Sequence, residues 1–333
     1  IIQRAAEVCM GDAGHPAIRW LEDLRLVRSA GLWDRRYGAF LHSNCAIVAG
    51  LRASARLARM LGHSEPVAAW EERAETIWRQ GVLGETDPAE PAHSGERDGD
   101  TQATAPNKPA PAPPQEPHHA AQARAGLIEP TTGRFLDARR FSKVHHFWPD
   151  DPELLIDASP TISINLLSAH LPFGLLPPND PRVVRSAQAI LDFNRLPDDQ
   201  LALVRWSHDP ARSADSAVDF GLIPEPELSA LATLWMARHL LQRGRETGRA
   251  EDLRAGLDFL DALLARLDDL GTRLRVSARP QSETERMEQG LLMFYVWLLD
   301  LHLDLAGLEI DLLDRVARLQ PILPPEWPRI GLE

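Results

Sequence analysis

Apolar residues recur at steps of three and four between Ser43 and Leu61: Cys45, Val48, Leu51, Ala55, Ala58 and Leu61. That spacing predicts a long amphipathic helix with one buried face. Ser43 or Asn44 is placed to cap its start, and Gly62 stands where a left-handed C-cap belongs. The same periodicity predicts a helix ending near Met10, stopped by Gly11 and Gly14, and another opened by Ser64 and Pro66 that runs through Trp70 to Trp78. Ser159-Pro160 and Asp180-Pro181 each read as a cap followed by a proline in the first turn, with Pro172-Phe173-Gly174 ending the first of these two helices. Leu228–Leu241, Ala250–Leu267 and Met287–Leu305 complete the helical set. Extended structure is predicted only beside the Thr131-Thr132-Gly133 turn, as a short hairpin. Long irregular loops, 15–41, 201–224 and 271–285, separate the helices. Short links elsewhere imply antiparallel helical hairpins, so the pattern predicts an all-α fold.

Composition divides this picture. Residues 84–122 contain Pro, Gly, Ala, Thr and charge but no large aliphatic or aromatic side chain. Such a stretch cannot bury enough apolar surface to offset its ordering entropy, and it is expected to be a disordered insertion. The ordered domain is then 1–83 together with 123–320, with a Pro-rich tail at 321–333. The formal charge of −12 opposes a nucleic-acid partner, since phosphate binding needs clustered Lys and Arg. No window holds the roughly 20 consecutive apolar residues of a membrane span. The two cysteines, Cys9 and Cys45, fall on apolar helix positions and read as buried thiols of a reducing, cytoplasmic compartment. Because Ile1 begins in mid-pattern, the chain is expected to be a piece of a longer one.

The common catalytic signatures are absent: no GxGxxG, P-loop, HExxH, CxxC or GxSxG occurs. His118 and His119, and the run His145, His146, Asp150, Asp151, lack further ligands at metal-binding spacing, so neither metal nor cofactor is expected. What remains is a set of loops rich in Trp, Arg, Asp and Glu. Carbohydrate sites have this composition, because aromatic faces stack on sugar rings and paired carboxyls serve as general acid and base.

The loop Trp33-Asp34-Arg35-Arg36-Tyr37-Gly38, followed by Phe40 and a helix, resembles the Trp-Glu-Glu-Arg loop of glucoamylase-like glycoside hydrolases of family 15. Downstream segments keep the family's order: Asp157-Ala158-Ser159, Pro172-Phe173-Gly174, Asp180-Pro181-Arg182-Val183, and the helix around Trp235. The resemblance implies an (α/α)6 barrel, incomplete at its N-terminus. It also implies an inverting, exo-acting hydrolase that releases glucose from an α-glucan or oligosaccharide. On it the general acid falls on Asp34 and the base on Glu283, with Glu285 and Glu288 as alternatives. Trp33, Arg36, Tyr37, Arg205 and Trp206 would bind substrate. Two departures stand out: Asp replaces the family's acid Glu, and Arg35 replaces its neighbour. The residues alone leave other roles open. Trp33 and Tyr37 could plug a helix pair, Asp34 and Arg36 could form an ion pair, and the whole could be a carbohydrate-binding or assembly protein without turnover.

Overall fold

The computed structural model describes residues 2–11, 18–30, 37–85, 126–141, 155–159, 161–196, 199–204, 206–208, 229–269, 308–311 and 316–319. Its helices follow the apolar periodicity closely. They are α1 (Ile2–Cys9), α2 (Leu41–Met60), α3 (Val67–Thr76), α4 (Pro181–Phe193), α5 (Ala230–Thr247) and α6 (Ala250–Asp269). The apolar helix predicted over 287–305 and the tail lie outside the described residues, as does the insertion apart from Gly84 and Glu85.

Helix α2 is the element around which the core assembles. Cys45, Val48, Leu51 and Ala55 are completely buried, and α1, α3 and the strands on either side of its start all pack on it. At its far end Gly62 adopts φ +80°, the left-handed conformation that its position predicted. Its beginning differs from expectation. Phe40, not Ser43 or Asn44, is the N-cap residue and caps with no side chain, while Asn44 lies inside the helix and is fully buried. Helix α3 likewise starts after Pro66, and Ser64 contributes its carbonyl, which accepts from Val67 N–H at 3.3 Å. Beyond Thr76 the chain continues as a π-helical turn, Ile77–Val82. At Gly81 the chain presses against the Arg25 carbonyl so closely that a β-carbon would stand 2.1 Å from that oxygen.

The expectation of an all-α barrel is overturned. Helix makes up 59% of the described structure and strand 16%. Five antiparallel strands form a meander in chain order: β1 (Arg19–Leu21), β2 (Leu26–Ala30), β3 (Tyr37–Phe40), β4 (Ala138–Phe141) and β5 (Leu155–Ala158). Much of the stretch 15–41, read as loop, is therefore sheet. The physical reason lies in its burial. Leu26, Val27, Arg28 and Ser29 are buried in succession, so both faces of β2 are covered and the polar–apolar alternation that marks a half-buried strand never appears.

The same correction applies after Ser159. In place of a helix, the chain runs as strand β6 (Thr161–Ser163) into a single 3-10 turn, Ile164–Leu167. Ser163 caps that turn by accepting from Asn165 N–H. Strand β9 (Trp206–His208) pairs with β6, and β7 (Arg195–Leu196) pairs with β8 (Asp199–Leu203). Strands β10 (Leu308–Asp311) and β11 (Val316–Leu319) form a separate antiparallel pair. The hairpin predicted at 131–133 is present as an Ile128–Phe135 bridge closed by a turn with Gly133 at φ +68°. Asp180 caps α4 as predicted, accepting from Arg182 N–H at 2.9 Å, with Pro181 in the first turn.

Candidate functional site

Two regions bear on function: the loop that the sequence singles out, and a buried polar cluster that it does not. Strands β2 and β3 pair at Ser29–Gly38 and Ala30–Tyr37. Trp33, Asp34, Arg35 and Arg36 belong to the six residues that join these paired ends, and they lie outside the described residues. Tyr37 opens β3 opposite Ala30, and Trp206 opens β9 opposite Ser163. Arg205, Glu283, Glu285 and Glu288 also lie outside the described residues, so no distance joins the two carboxyls assigned to catalysis. Strand β4 runs antiparallel to β3, with Gly38 opposite Arg140. The Phe141 end of β4 is thus at the same end of the sheet as Ala30 and Tyr37.

The second region gathers at the opposite end of β3, where α2 begins. The Leu41 N–H donates to the Asp137 carbonyl at 2.9 Å, fixing the start of the helix beside β4. That register carries His42 to Ser168, whose Oγ shares a 3.0 Å hydrogen bond with His42 Nδ1. The His42 ring lies almost parallel to Trp235 of α5, centroids 6.3 Å apart, and tilts against Phe173 at 5.1 Å. Burial disfavours the imidazolium and lowers the His42 pKa to about 4, so the ring is neutral at pH 7. One turn beyond Trp235 on the same helix, His239 meets His170 edge to face at 5.4 Å. His170 Nδ1–H donates to the Leu176 carbonyl at 3.2 Å.

A histidine bonded to a serine suggests nucleophile activation, but the geometry opposes it. Ser168 is completely buried and no substrate atom could reach its Oγ, so the hydroxyl serves to orient His42. Asp137, the nearby acid on the chain, has Oδ1 occupied by Ser163 Oγ–H at 2.5 Å. It therefore secures β6 to the start of β4. Among the described residues no group of three or more His, Cys, Asp or Glu could hold a metal ion. No helix among them is long and apolar enough to cross a membrane.

Sequence reasoning missed this cluster. Its signal was present but faint: Trp235 and His239 stand four residues apart on a helix whose buried residues are otherwise mostly Leu, Ala and Met. His42 hid in an expected capping region. The structure brings His42, Ser168, Phe173 and Trp235 together, while Asp34 lies outside the described residues.

No family model, curated protein or solved structure matches the chain.

Proposed function

We propose that the chain acts on carbohydrate as an inverting, exo-acting glycoside hydrolase that releases glucose from an α-glucan or α-gluco-oligosaccharide. The observation that carries this reading is the run of glucoamylase-like segments in one order, from Trp33-Asp34-Arg35-Arg36-Tyr37 through Asp157-Ala158-Ser159 and Pro172-Phe173-Gly174 to Asp180-Pro181-Arg182-Val183. The β2–β3 pairing supports it by holding the two ends of this stretch, Ala30 and Tyr37, opposite each other on a sheet, the kind of rigid frame on which sites are carried. In this reading Asp34 protonates the leaving glycosidic oxygen, and Glu283 draws a proton from water on the opposite face of the sugar. Trp33, Tyr37 and Trp206 supply aromatic faces, and Arg36 and Arg205 hold sugar hydroxyls. Inversion requires the two carboxyls to stand roughly 6.5–9.5 Å apart. A cytoplasmic setting belongs to the same reading, supported by the buried Cys45 thiol, which burial holds in its protonated and unreactive form.

Saccharide binding without turnover is the second reading. Asp34 and Arg35 favour it, because they depart from the resembled motif at the acid and its neighbour. One experiment separates the two. The chain is incubated with maltose, isomaltose and trehalose, glucose release is followed with its anomeric form, and binding of the same sugars is measured by calorimetry. Release of β-glucose supports the hydrolase. Binding without release supports the second reading, and neither binding nor release defeats both.

A further inference from the structure

His239 is completely buried, and neither of its ring nitrogens has a hydrogen-bond partner among the described residues. A buried polar group in that condition costs free energy even when neutral, and the cost rises steeply on charging. The ring lies at a joint. Helix α5 carries it, and His170 meets it from the turn that follows Ile164–Leu167, at a 5.4 Å centroid separation. One helical turn earlier, Trp235 of α5 stacks on His42 of α2. Among the described residues, the charges that act on His239 are those of His170, when protonated, and Arg243, both positive. Arg243, on its own helix, is already held by Asp252 of α6 through two hydrogen bonds, so that carboxylate is engaged. Strand β8 meets α5 through the neutral Thr233 hydroxyl, which accepts from Leu203 N–H.

We propose that the His170–His239 contact is an acid-sensitive latch that holds the α5–α6 hairpin against the 164–174 turn and opens when the pair is protonated. The contact is favourable only while His239 is neutral. Among the described residues a proton on His239 would find no acceptor, and it would add a cation near His170 and Arg243. Opening relieves both conditions by admitting water to the ring. The direction of the titration agrees: burial, reinforced by His170 and Arg243, holds His239 well below the usual histidine value. Proton uptake is thereby tied to exposure of the ring. Helices α2 and α3, which pack together without this pair, should stay closed.

Hydrogen exchange followed by mass spectrometry, corrected for intrinsic rates, tests the latch on the whole chain at pH 7 and pH 5. Protection over 230–247 and 164–174 should fall at least tenfold further at pH 5 than protection over 45–58, which reports the loss shared by the whole fold. His239→Phe, which keeps an aromatic ring and removes the proton acceptor, should reduce the loss over 230–247 at pH 5 to that over 45–58. Unchanged protection of 230–247 in the wild-type chain at pH 5 would overturn the proposal, whether or not the variant folds. So would equal loss over all three segments, which is global acid unfolding. Equal loss in His239→Phe and wild type would overturn it as well.

Discussion

The side chain of Asn44 completes the backbone of Val27. Val27 N–H donates to Asn44 Oδ1 at 2.8 Å, and Asn44 Nδ2 donates to the Val27 carbonyl at 3.1 Å and to the Phe40 carbonyl at 2.9 Å. The β2–β3 ladder runs through Ala30–Tyr37 and Ser29–Gly38, and the same register carried past Arg28 and Ala39 would set Val27 opposite Phe40. At Phe40 the chain turns into α2, so Val27, which faces Trp20 of β1 on its other side, has no strand partner on the β3 side. The carboxamide of Asn44, one turn into the helix, supplies the missing donor and acceptor. One buried amide thus joins sheet and helix at the end of β3 opposite the loop that carries Asp34.

Asn44→Ala should therefore destabilise the fold by on the order of 3 kcal/mol. It leaves both polar groups of Val27 buried without partners, at about 1–3 kcal/mol for each such group. Asn44→Asp keeps the acceptor for Val27 N–H but loses both donations, and it should also fall below wild type. Urea denaturation measures both variants. A loss below about 1 kcal/mol in Asn44→Ala would mean that water replaces the amide.

Two glycine substitutions should act in opposite directions. Gly81→Ala drives a β-carbon to 2.1 Å from the Arg25 carbonyl oxygen and 2.7 Å from Leu26 Cδ2. The carbonyl is backbone and cannot swing aside, so the π-helical turn must lift off β2. A cost of about 3 kcal/mol or more, or failure to fold, is expected. Gly50 lies exposed on α2, and a β-carbon added there would meet nothing within 4 Å. Gly50→Ala should raise stability by roughly 0.5–1 kcal/mol through helix propensity. Thermal melts of the two variants beside the wild type decide the matter.

The helices were legible in the sequence because their signals are local. Apolar steps of three and four fixed α2, Asp180-Pro181 fixed the start of α4, and Gly62 fixed the end of α2. The sheet was not legible, because strands of three to five residues are too short to show a period, and β2 and β6 are buried on both faces. Asn44 illustrates the same limit at one residue. An Asn near a helix start looks like a cap, and only the partner strand, 17 positions away, reveals that it serves Val27. The His42–Ser168 bond spans 126 positions and left no local trace at all.

Acid should weaken the fold through His42. Its folded-state pKa, about 4, lies below the unfolded histidine value near 6.5. Between these limits the unfolded chain binds a proton that the folded chain refuses, so stability falls as pH drops from about 6.5 toward 4 and is unaffected above. His42→Gln keeps hydrogen-bonding capacity toward Ser168 without a titrating ring. It should flatten the slope of unfolding free energy against pH in that window, whatever its effect at pH 7. An unchanged slope would show that His42 takes up its proton in the folded state.

The 86–125 segment should be replaceable by a short bridge. Its two ends lie against each other: Leu127 N–H donates to the Val82 carbonyl at 2.9 Å, and Gly126 packs on the backbone of Gly84. Gly84 and Glu85 belong to the folded part, since Glu85 N–H donates to the Arg79 carbonyl at 2.9 Å. A Gly-Ser linker of a few residues joining 85 to 126 spans so small a gap without strain, and shortening a closed loop lowers its entropic cost. The melting temperature should stay within a few degrees of the parent. Loss of the cooperative melt would show that the replaced residues contribute to the core.

The chemistry of Asp34 gives the most direct test of the proposed hydrolase. As general acid, Asp34 must hold a proton near neutral pH, which requires burial beside an apolar face such as Trp33 and distance from positive charge. Arg35 and Arg36 follow it in sequence, and a guanidinium on its carboxylate would keep it ionised and silent. Catalysis therefore demands that at least Arg35 point away. Asp34→Asn removes the proton and should cut turnover by the roughly hundredfold to ten-thousandfold that a general acid supplies. Asp34→Glu extends the reach by one methylene, restores the residue of the resembled motif, and should maintain or raise turnover. Arg35→Ala should raise turnover only where that guanidinium presses on Asp34. Sugar binding measured beside turnover separates the outcomes: full binding with lost turnover in Asp34→Asn marks the acid, whereas equal turnover in Asp34→Asn and wild type removes Asp34 from the mechanism.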